Sequence, residues 1–429
     1  MPDFPKTISG TADALLRRDF SAEEVTRHYL GVIERENGTL NAYLDVYEDA
    51  LTEARAMDAK LANGAHPSPL TGIPLAIKDN ILVRGRPATA GSKMLERYTA
   101  AYDATVIERL RSAGAVFLGK TNLDEFAMGS STENSAFGPT RNPYDTGRVA
   151  GGTSGGSAAA VAGGLAPAAL GSDTGGSIRQ PAAFCGVVGL KPTYGSVSRS
   201  GLIATVSSMD QIGPLARTVG DARLLFDAIR GQDPLDSTTV DIKPYKAKKL
   251  TAKKLIVGVP KEYFGKGLDP DVEQVIRAAI VKCGELGVEV REVTLPHSEY
   301  ALAAYYIINF SEASSNLARF DGIRYGHAAA GAGNLLEVYE QTRAAGFGPE
   351  VRRRIILGTF ALSAGYYDAY YRKAQQVRRL IRDDFQKTFA TVDCMIGPTA
   401  PTPAFKLGET PADPLAMYLG DIYTVAVNL

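Results

Sequence analysis

Two short segments rich in glycine and hydroxyl side chains hold residue types that could attack a carbonyl carbon. The first loop reads Gly-Gly-Thr-Ser-Gly-Gly-Ser over residues 151–157, and the second loop reads Gly-Ser-Asp-Thr-Gly-Gly-Ser over residues 171–177. The residues after each loop resemble the start of a helix, where main-chain N–H groups donate to an anion or to a developing oxyanion. Glycine lets a substrate approach that main chain closely. The two loops therefore indicate a site for acyl transfer.

Two other functions fit these loops less well. A phosphate-binding loop needs a lysine before its last hydroxyl residue, and neither loop contains one. A hydrolase nucleophile elbow fits residues 152–156 formally, but it expects a preceding strand and a downstream histidine. The segment at 138–145 is polar and rich in turn residues, and only His297 and His327 follow the loops. Both alternatives are therefore disfavoured.

Lys78 is the candidate base because no histidine lies near either loop in the sequence. It follows the apolar run at residues 72–77, so we expect it at the end of a buried strand, where desolvation lowers the pKa of a lysine. Catalysis near neutral pH requires a fall of about 3 units from about 10.4, or roughly 4 kcal/mol. The alternative is a lysine whose stem lies along the strand end while its ammonium stays in water.

The elements that must hold these residues alternate between strand and helix patterns. Apolar runs predict strands at residues 73–77 and 115–118, and a helix is predicted from Asp103 to Gly114 between them. Such alternation is typical of an α/β fold with a mostly parallel sheet covered on both faces. The segment from about 300 to 388 has mainly helical patterns.

Composition excludes several classes of protein. Lys and Arg together number 47, as do Asp and Glu, so the zero net charge argues against independent binding to nucleic acid. Neither a signal peptide nor a membrane-spanning stretch is visible, and we expect a cytoplasmic protein. The cysteines are widely spaced, which disfavours a zinc site or a disulfide framework.

The lysine and the two loops together resemble the amidase signature family over nearly the full chain. The resemblance rests on Ile-Lys-Asp-Asn at residues 77–80 and on the loops at 151–157 and 171–177. It implies one α/β domain over residues 1–429 with a mixed central sheet and helices on both faces. It also implies an N-terminal helical layer (1–65), a signature core (66–220) and a helical insertion (300–390).

The resemblance assigns roles to individual residues. It implies that Ser177 is the nucleophile, that Lys78 is the base and that Thr153 bridges them, while Ser157 only begins a helix. The family usually has a serine held by a cis peptide where this chain has Thr153, and the neighbouring Ser154 is expected to point elsewhere. The implied oxyanion hole consists of main-chain N–H groups of Thr174, Gly175, Gly176 and Ser177.

Later segments resemble one branch of the family, the glutaminase subunits of amidotransferases that act on misacylated tRNA. These segments lie at 311–326, 357–371 and 397–401. The branch implies that glutamine is the substrate and that its charged ends are held by Arg354 and Asp421. On spacing alone, Arg354 could equally be a solvated helix charge. Relatives are expected to continue beyond residue 429 with a segment that completes the core.

The same branch implies partners. Two further subunits, known as B and C, would complete a heterotrimer, and tRNA would be contacted mainly through the partner. ATP and Mg²⁺ would be used by that partner, so this chain is expected to bind no cofactor or metal. Glu-tRNA(Gln) and Asp-tRNA(Asn) both remain open as final acceptors. Two alternatives also remain, a stand-alone amidase for small or aryl amides and a catalytically inactive scaffold subunit.

Overall fold

The computed structural model describes residues 4–63, 68–241, 255–409 and 414–429. These residues form two compact units. The first unit comprises Met1–Asp241 and Asn316–Arg353, and the second comprises Ile242–Ser315 and Arg354–Leu429. The expected single domain over residues 1–429 stays a prediction, since two compact units can still fold together.

The first unit contains a six-stranded sheet with the strand order β1-β3-β2-β6-β8-β7. The strands of this sheet are β1 (Tyr43–Val46), β2 (Pro74–Lys78), β3 (Val116–Thr121), β6 (Ala168–Asp173), β7 (Val188–Gly189) and β8 (Gln211–Ala216). A separate hairpin pairs β4 (Arg141–Asn142) with β5 (Asp145–Val149). Every residue of β2, β3, β6 and β8 is buried, so both faces of the sheet's centre are covered.

The sheet is mixed, as the family resemblance implies, and not mostly parallel as the alternation of elements predicts. Strand β2 runs parallel to β3 and β6. The pairs β1/β3, β6/β8 and β7/β8 are antiparallel. Hydrophobic periodicity reports which residues are buried but not the direction in which a strand runs, so the prediction of a mostly parallel sheet is wrong.

The helix predicted from Asp103 to Gly114 is present as α4, and six further α-helices lie before residue 241 among the described residues. Helix α2 begins after the capping box of Ser21 and Glu24 and ends at a left-handed Asn41. These helices are α1 (Ile8–Arg17), α2 (Ala22–Leu40), α3 (Ala50–Ala62), α4 (Thr105–Ser112), α5 (Gly155–Ala162), α6 (Arg179–Phe184) and α7 (Val219–Ile229). Residues 4–63 are thus mainly helical, with β1 inserted between α2 and α3, and their separation as an N-terminal layer stays a prediction.

The predicted helical insertion is also helical in the structure. Between residues 300 and 390 lie α9 (Ala301–Asn316), α10 (Leu335–Gly346), α11 (Pro349–Leu362), a π-helical turn (Asp368–Arg372) and α12 (Lys373–Phe389).

The second unit has a parallel three-stranded sheet in the order β10-β9-β11. Its strands are β9 (Ile256–Pro260), β10 (Glu289–Val293) and β11 (Cys394–Met395), and its other helices are α8 (Pro270–Glu285), α13 (Pro414–Leu419) and α14 (Val425–Asn428). None of the helices described here is both long and apolar enough to cross a bilayer.

Candidate active site

Lys78 is the last residue of β2 and is fully buried. The strand is apolar up to this point, because Leu75, Ala76 and Ile77 belong to the core. Strand β6 runs parallel to β2, so the two strands end at the same edge of the sheet. In open α/β sheets this edge is the usual place for ligand sites. The alternative of a lysine with a solvated ammonium is therefore wrong.

Hydroxyl groups surround the ammonium of Lys78. Its Nζ donates to Thr153 Oγ1 at 2.7 Å, to Ser154 Oγ at 2.8 Å and to Ser172 Oγ at 2.9 Å. A longer bond reaches the main-chain oxygen of Ser172 at 3.3 Å. The three hydroxyls and this carbonyl form the hydroxyl pocket of Lys78, and no carboxylate of the described residues touches the ammonium.

Burial lowers the pKa of Lys78 from 10.5 to about 7, and the charges of Asp124, Asp173 and Asp210 oppose this shift. The desolvation of the ammonium is therefore the dominant effect. A lysine with this pKa is about half neutral near pH 7 and mostly neutral about one pH unit higher, and its lone pair can then accept a proton. The structure thus supports the fall in the pKa of Lys78 that base catalysis near neutral pH requires.

The first loop brings Thr153 to the lysine without a cis peptide. Gly151 and Gly152 adopt φ angles of 86° and 51°, and the structure contains no cis bond among the described residues. The linkage before Thr153 is therefore trans in this structure, and the two left-handed glycines make the turn. A Cβ on Gly152 would lie 2.3 Å from Pro181 Cδ, so only glycine fits there.

The sequence predicts that Ser154 points away from this site, and that prediction is wrong. Its Oγ accepts from Lys78 and donates to the main-chain oxygen of Ser172 at 3.0 Å. Ser172 Oγ also accepts from Asn80 Nδ2 at 2.9 Å. Thr153 Oγ1 has only Lys78 as a partner among the described residues. Of the three hydroxyls, Thr153 is therefore the one free to exchange its proton with the lysine and with a further group.

The second loop is held by the buried carboxylate of Asp173. This carboxylate accepts from the amides of Gly176 at 2.9 Å and Ile178 at 3.1 Å, and it pairs with Arg179 at 3.0 Å. The loop also joins the first one, since the amide of Ser154 donates to the main-chain oxygen of Ser177 at 3.1 Å. The main chain of Ser177 is thereby held against Ser154, the residue after Thr153.

The nucleophilic role of Ser177 stays a prediction, as does the oxyanion hole. The hydroxyl of Ser177 makes no hydrogen bond to any residue that the structure describes. The amide of Gly176 donates to Asp173, so it is engaged within the protein and is not a free oxyanion donor in this structure. An oxyanion hole from Thr174, Gly175 and Ser177 stays a prediction.

Ser157 lies in the first turn of α5, two residues after the helix start at Gly155, and takes no part in the lysine contacts. Its Oγ lies 2.7 Å from Thr121 Oγ1 and donates to the main-chain oxygen of Leu170 at 2.9 Å. His297 pairs instead with Asp384 in the second unit, 3.0 Å away. A nucleophile elbow served by His297 therefore finds no support.

Arg354 and Asp421 lie together in the second unit, and both contact Tyr306. The guanidinium carbon of Arg354 is 5.5 Å from the Tyr306 ring centre, and Asp421 Oδ2 accepts from the Tyr306 hydroxyl at 2.5 Å. Arg354 also reaches Asn309 Oδ1 at 3.4 Å and lies 5.8 Å from the Phe310 ring centre. A solvated helix charge is therefore wrong for Arg354, which is buried.

The sequence does not single out three residues of these clusters. Ser172 enters the hydroxyl pocket, and Asn80 donates to its hydroxyl, because β6 pairs with β2, a pairing that no motif predicts. Tyr306 links Arg354 to Asp421 although the three residues lie far apart in the chain. A polar residue inside an otherwise apolar strand is the one signal that could have pointed to Ser172.

Comparison with known proteins identifies relatives over nearly the whole chain. A family model described as amidase matches residues 24–429. The A subunit of glutamyl-tRNA(Gln) amidotransferase from Moorella thermoacetica is 56% identical over 427 residues, which are 99% of this chain and 88% of the relative. The protein of the same name from Carboxydothermus hydrogenoformans is 58% identical over 416 residues, or 96% of this chain and 86% of the relative.

A solved structure agrees with this assignment. The crystal structure of the glutamyl-tRNA(Gln) amidotransferase A subunit from Thermotoga maritima matches with a TM-score of 0.81 at 43% sequence identity. The match covers 100% of this chain and 87% of that chain. The resemblance inferred from the lysine and the two loops is thereby confirmed, together with the α/β fold. The chain therefore belongs to the amidase signature family.

Proposed function

We propose that this amidase-family enzyme is the glutaminase subunit of an amidotransferase acting on misacylated tRNA. Its role is to hydrolyse glutamine and to supply ammonia to a partner subunit. The names of the relatives support this branch of the family, and the buried cation and anion beside Tyr306 suit a zwitterionic substrate. The geometry around Lys78 supports the chemistry.

The first half of the reaction acylates Ser177. Its Oγ attacks the carboxamide carbon of glutamine while its proton passes to Thr153 Oγ1, and the proton of Thr153 passes to Lys78 Nζ. Main-chain N–H groups of the second loop stabilise the oxyanion. The C–N bond then breaks, the proton returns from Lys78 through Thr153 to the nitrogen, and ammonia leaves a glutamyl ester on Ser177.

The second half of the reaction releases glutamate. A water molecule attacks the ester carbon, and its proton passes to Lys78 through Thr153. The C–O bond to Ser177 breaks, and the serine oxygen regains the proton. The chain therefore ends the cycle unchanged, and one glutamine and one water give one glutamate and one ammonia.

One observation carries this proposal, the 2.7 Å contact between Lys78 Nζ and Thr153 Oγ1 inside a fully buried pocket. A threonine hydroxyl can accept one proton and donate another, as the relay requires. Thr153 therefore keeps the chemistry of the serine that the family usually has at this position. This contact also argues against the inactive scaffold.

The substrate's charged ends require one fixed cation and one fixed anion. We assign the carboxylate of glutamine to Arg354 and its ammonium to Asp421. An arginine stays charged even when it is buried, because its pKa exceeds about 12. The Tyr306 hydroxyl donates to Asp421 and would hold that carboxylate in place.

The remaining partners follow from the branch of the family. We assign ATP and Mg²⁺ to the B or C component, which would activate the carboxylate on Glu-tRNA(Gln) or Asp-tRNA(Asn). The assignment rests on the names of the relatives and on the absence of a phosphate-loop motif from the sequence. Co-purification of the three subunits, followed by glutamine-dependent amidation of each tRNA, tests it.

The decisive experiment on this chain is Ser177→Ala with ammonia release from glutamine as the readout. We expect a loss of at least about 10⁴-fold, since the nucleophile is removed. The matched control is Ser157→Ala, a buried serine outside the lysine contacts, which we expect to keep most of the activity. Full glutaminase activity in Ser177→Ala would contradict the proposal.

Two further outcomes distinguish the alternatives. A wild-type chain that hydrolyses a simple aryl amide better than glutamine, with the partner subunits present, would identify a stand-alone amidase. A chain whose Ser177 is not labelled by a fluorophosphonate under the same conditions would identify a scaffold. Labelling at Ser177 together with a preference for glutamine supports the proposal.

A further inference from the structure

Behind the first loop lies a buried polar segment, residues 124–134, that no part of the mechanism uses. Its main chain follows the first loop closely. The amide of Gly152 donates to the oxygen of Ser130 at 2.8 Å, and the amide of Gly151 donates to the oxygen of Ser131 at 3.4 Å. The segment is therefore in a position to control the shape of the loop that carries Thr153.

Thr132 is the residue of this segment that contacts the loop with its side chain. It is fully buried, and its φ angle of 61° lies in the left-handed region. That region is uncommon for any residue other than glycine and is a genuine outlier for a β-branched one. A residue held in such a conformation is fixed by its surroundings, and strain of this kind clusters at functional sites.

The hydroxyl of Thr132 binds both ends of the turn around Thr153. Its Oγ1 donates to the main-chain oxygen of Gly152 at 2.8 Å and accepts from the amide of Gly155 at 3.1 Å. The contact is close, because a Cβ on Gly155 would lie 2.3 Å from this oxygen. One hydroxyl therefore fixes the peptide units on either side of Thr153 and Ser154.

Asp124 holds Thr132 in this position. Its carboxylate is fully buried and accepts from the amide of Thr132 at 2.8 Å and from the amide of Asn134 at 2.8 Å. Gly129 packs against the same carboxylate so closely that a Cβ there would lie 2.4 Å from its carbon. The carboxylate thus closes residues 124–134 into a tight loop with Thr132 at the catalytic side.

We infer that Asp124 and Thr132 are positioning residues, which hold the first loop so that the Thr153 hydroxyl stays within hydrogen-bond reach of Lys78. The inference rests on the proposed role of Thr153 as the proton relay. Neither residue contacts the reacting atoms. Their effect is on the distance between the relay and the base.

Electrostatics adds a second link between Asp124 and the base. Burial raises the pKa of Asp124 to about 7, and the charge of Glu133 acts in the same direction. The charges that raise the pKa of Lys78 are Asp124, Asp173 and Asp210, of which Asp124 has the largest effect. Removal of the Asp124 charge should therefore lower the pKa of Lys78.

The test of Thr132 uses three substitutions and the rate of Ser177 labelling by a fluorophosphonate. Thr132→Val keeps the shape but leaves the Gly155 amide and the Gly152 oxygen without a partner. Thr132→Gly relieves the left-handed strain and also lacks the hydroxyl, so it covers the case in which the valine variant does not fold. We expect losses on the order of 10²-fold in both, as for a misplaced catalytic group.

Two controls separate positioning from general stability. Thr132→Ser keeps the hydroxyl and should label at close to the wild-type rate. Thr239→Val removes a buried hydroxyl with the same pattern, which accepts from the amide of Asp233 at 2.9 Å and donates to the oxygen of Asp236 at 2.7 Å. This variant should label normally. Wild-type labelling in folded Thr132→Val or Thr132→Gly would overturn the inference.

Asp124→Asn supplies a readout that a purely structural role would not change. We expect slower labelling of Ser177, and we expect the midpoint of the labelling rate against pH to move to lower pH. The reason is that the variant lacks the charge that raises the pKa of Lys78 the most. A midpoint and a rate both equal to wild type would overturn the part of the inference that concerns Asp124.

Amide hydrogen exchange tests the inference independently of whether Ser177 is reactive. The amide of Gly155, followed in the peptide covering residues 151–157, should exchange faster in Thr132→Val than in wild type or Thr239→Val. Unchanged exchange would overturn the inference. A wild-type chain that shows no Ser177 labelling would instead contradict the proposed function, and the exchange result would still stand on its own.

Discussion

Lys78 and Arg354 are two of the buried cations among the described residues, and their surroundings differ in kind. Lys78 is 0% exposed in the first unit and is surrounded by hydroxyl oxygens, whereas Arg354 is 2% exposed in the second unit and lies over aromatic rings. A lysine can lose its proton when buried, but an arginine cannot. Hydroxyls can pass a proton on, and aromatic rings can only stabilise a charge.

The contrast separates two tasks that a glutaminase needs. The hydroxyl pocket suits proton transfer at a reacting serine, and the aromatic cluster suits a permanent charge that holds a carboxylate. Variants of the first region should therefore change the chemical step for every amide. Variants of the second region should change the affinity for glutamine and leave the reactivity of Ser177 intact.

Among variants that compare the two cations, the largest effect on the reactivity of Ser177 is expected from Lys78→Met, which removes the base. General base catalysis is worth about 10²–10⁴-fold, so we expect glutaminase activity and fluorophosphonate labelling to fall by ~10³-fold together. The comparison variant Arg354→Met should abolish glutamine turnover but label at the wild-type rate. Equal labelling in both variants would break the distinction between the two regions.

A smaller effect is expected from Thr153→Val, which keeps the β-branched shape and loses the hydroxyl. We expect kcat to fall by about 10²-fold with KM unchanged, because proton transfer is impaired while glutamine binding is not. Thr153→Ser serves as the matched variant, since it restores the residue usual in the family. A kcat in Thr153→Val equal to that of Thr153→Ser would contradict the relay.

The pH dependence should report the lysine. The base acts in its neutral form and its pKa is about 7, so kcat/KM should rise about tenfold per pH unit below pH 7 and level off above it. The rising limb should be the same for glutamine and for a simple amide, because Lys78 serves both. A rising limb of kcat/KM that appears with glutamine alone would place the titrating group near Arg354 and Asp421.

The smallest effect is expected from Arg354→Lys, which keeps a positive charge in the aromatic cluster. We expect KM for glutamine to rise by roughly tenfold with little change in kcat, since a lysine cannot bind a carboxylate with two parallel hydrogen bonds as an arginine can. Arg352→Lys, on the exposed side of the same helix, is the control and should leave KM unchanged. A change confined to kcat would contradict a role in holding the substrate.

The two regions also differ in how far the sequence predicts them. Short motifs contain Lys78, Thr153 and Ser177, and the residue types in these motifs indicate the chemistry. In the structure, Lys78 and Thr153 are in contact within the hydroxyl pocket. Arg354 and Asp421 could be named only through the family, because the cluster is assembled by Tyr306 from distant segments. Contacts made by folding leave no local pattern in a sequence.

The errors of prediction have physical causes as well. The direction of a strand depends on the connection that leads to it, such as the long segment before β8. Hydrophobic periodicity does not report strand direction, so it could not predict that the sheet is mixed. The turn at Thr153 relies on left-handed glycines and on Thr132, whereas the family resemblance implied a cis peptide. Asp124 and Thr132 were not predicted, since a polar segment such as 124–134 is typical of an exposed loop.

The hydroxyl pocket of Lys78 couples the folding of the chain to a proton. Burial lowers the pKa of this lysine from 10.5 in the unfolded chain to about 7 in the folded one. Between these values the unfolded chain binds one more proton there, so stability should rise by up to about 1.4 kcal/mol per pH unit. Below pH 7 both states hold the proton, and the full cost of burying the ammonium is present. Folding at neutral to alkaline pH therefore expels the proton from Lys78, and the base is ready before any substrate arrives.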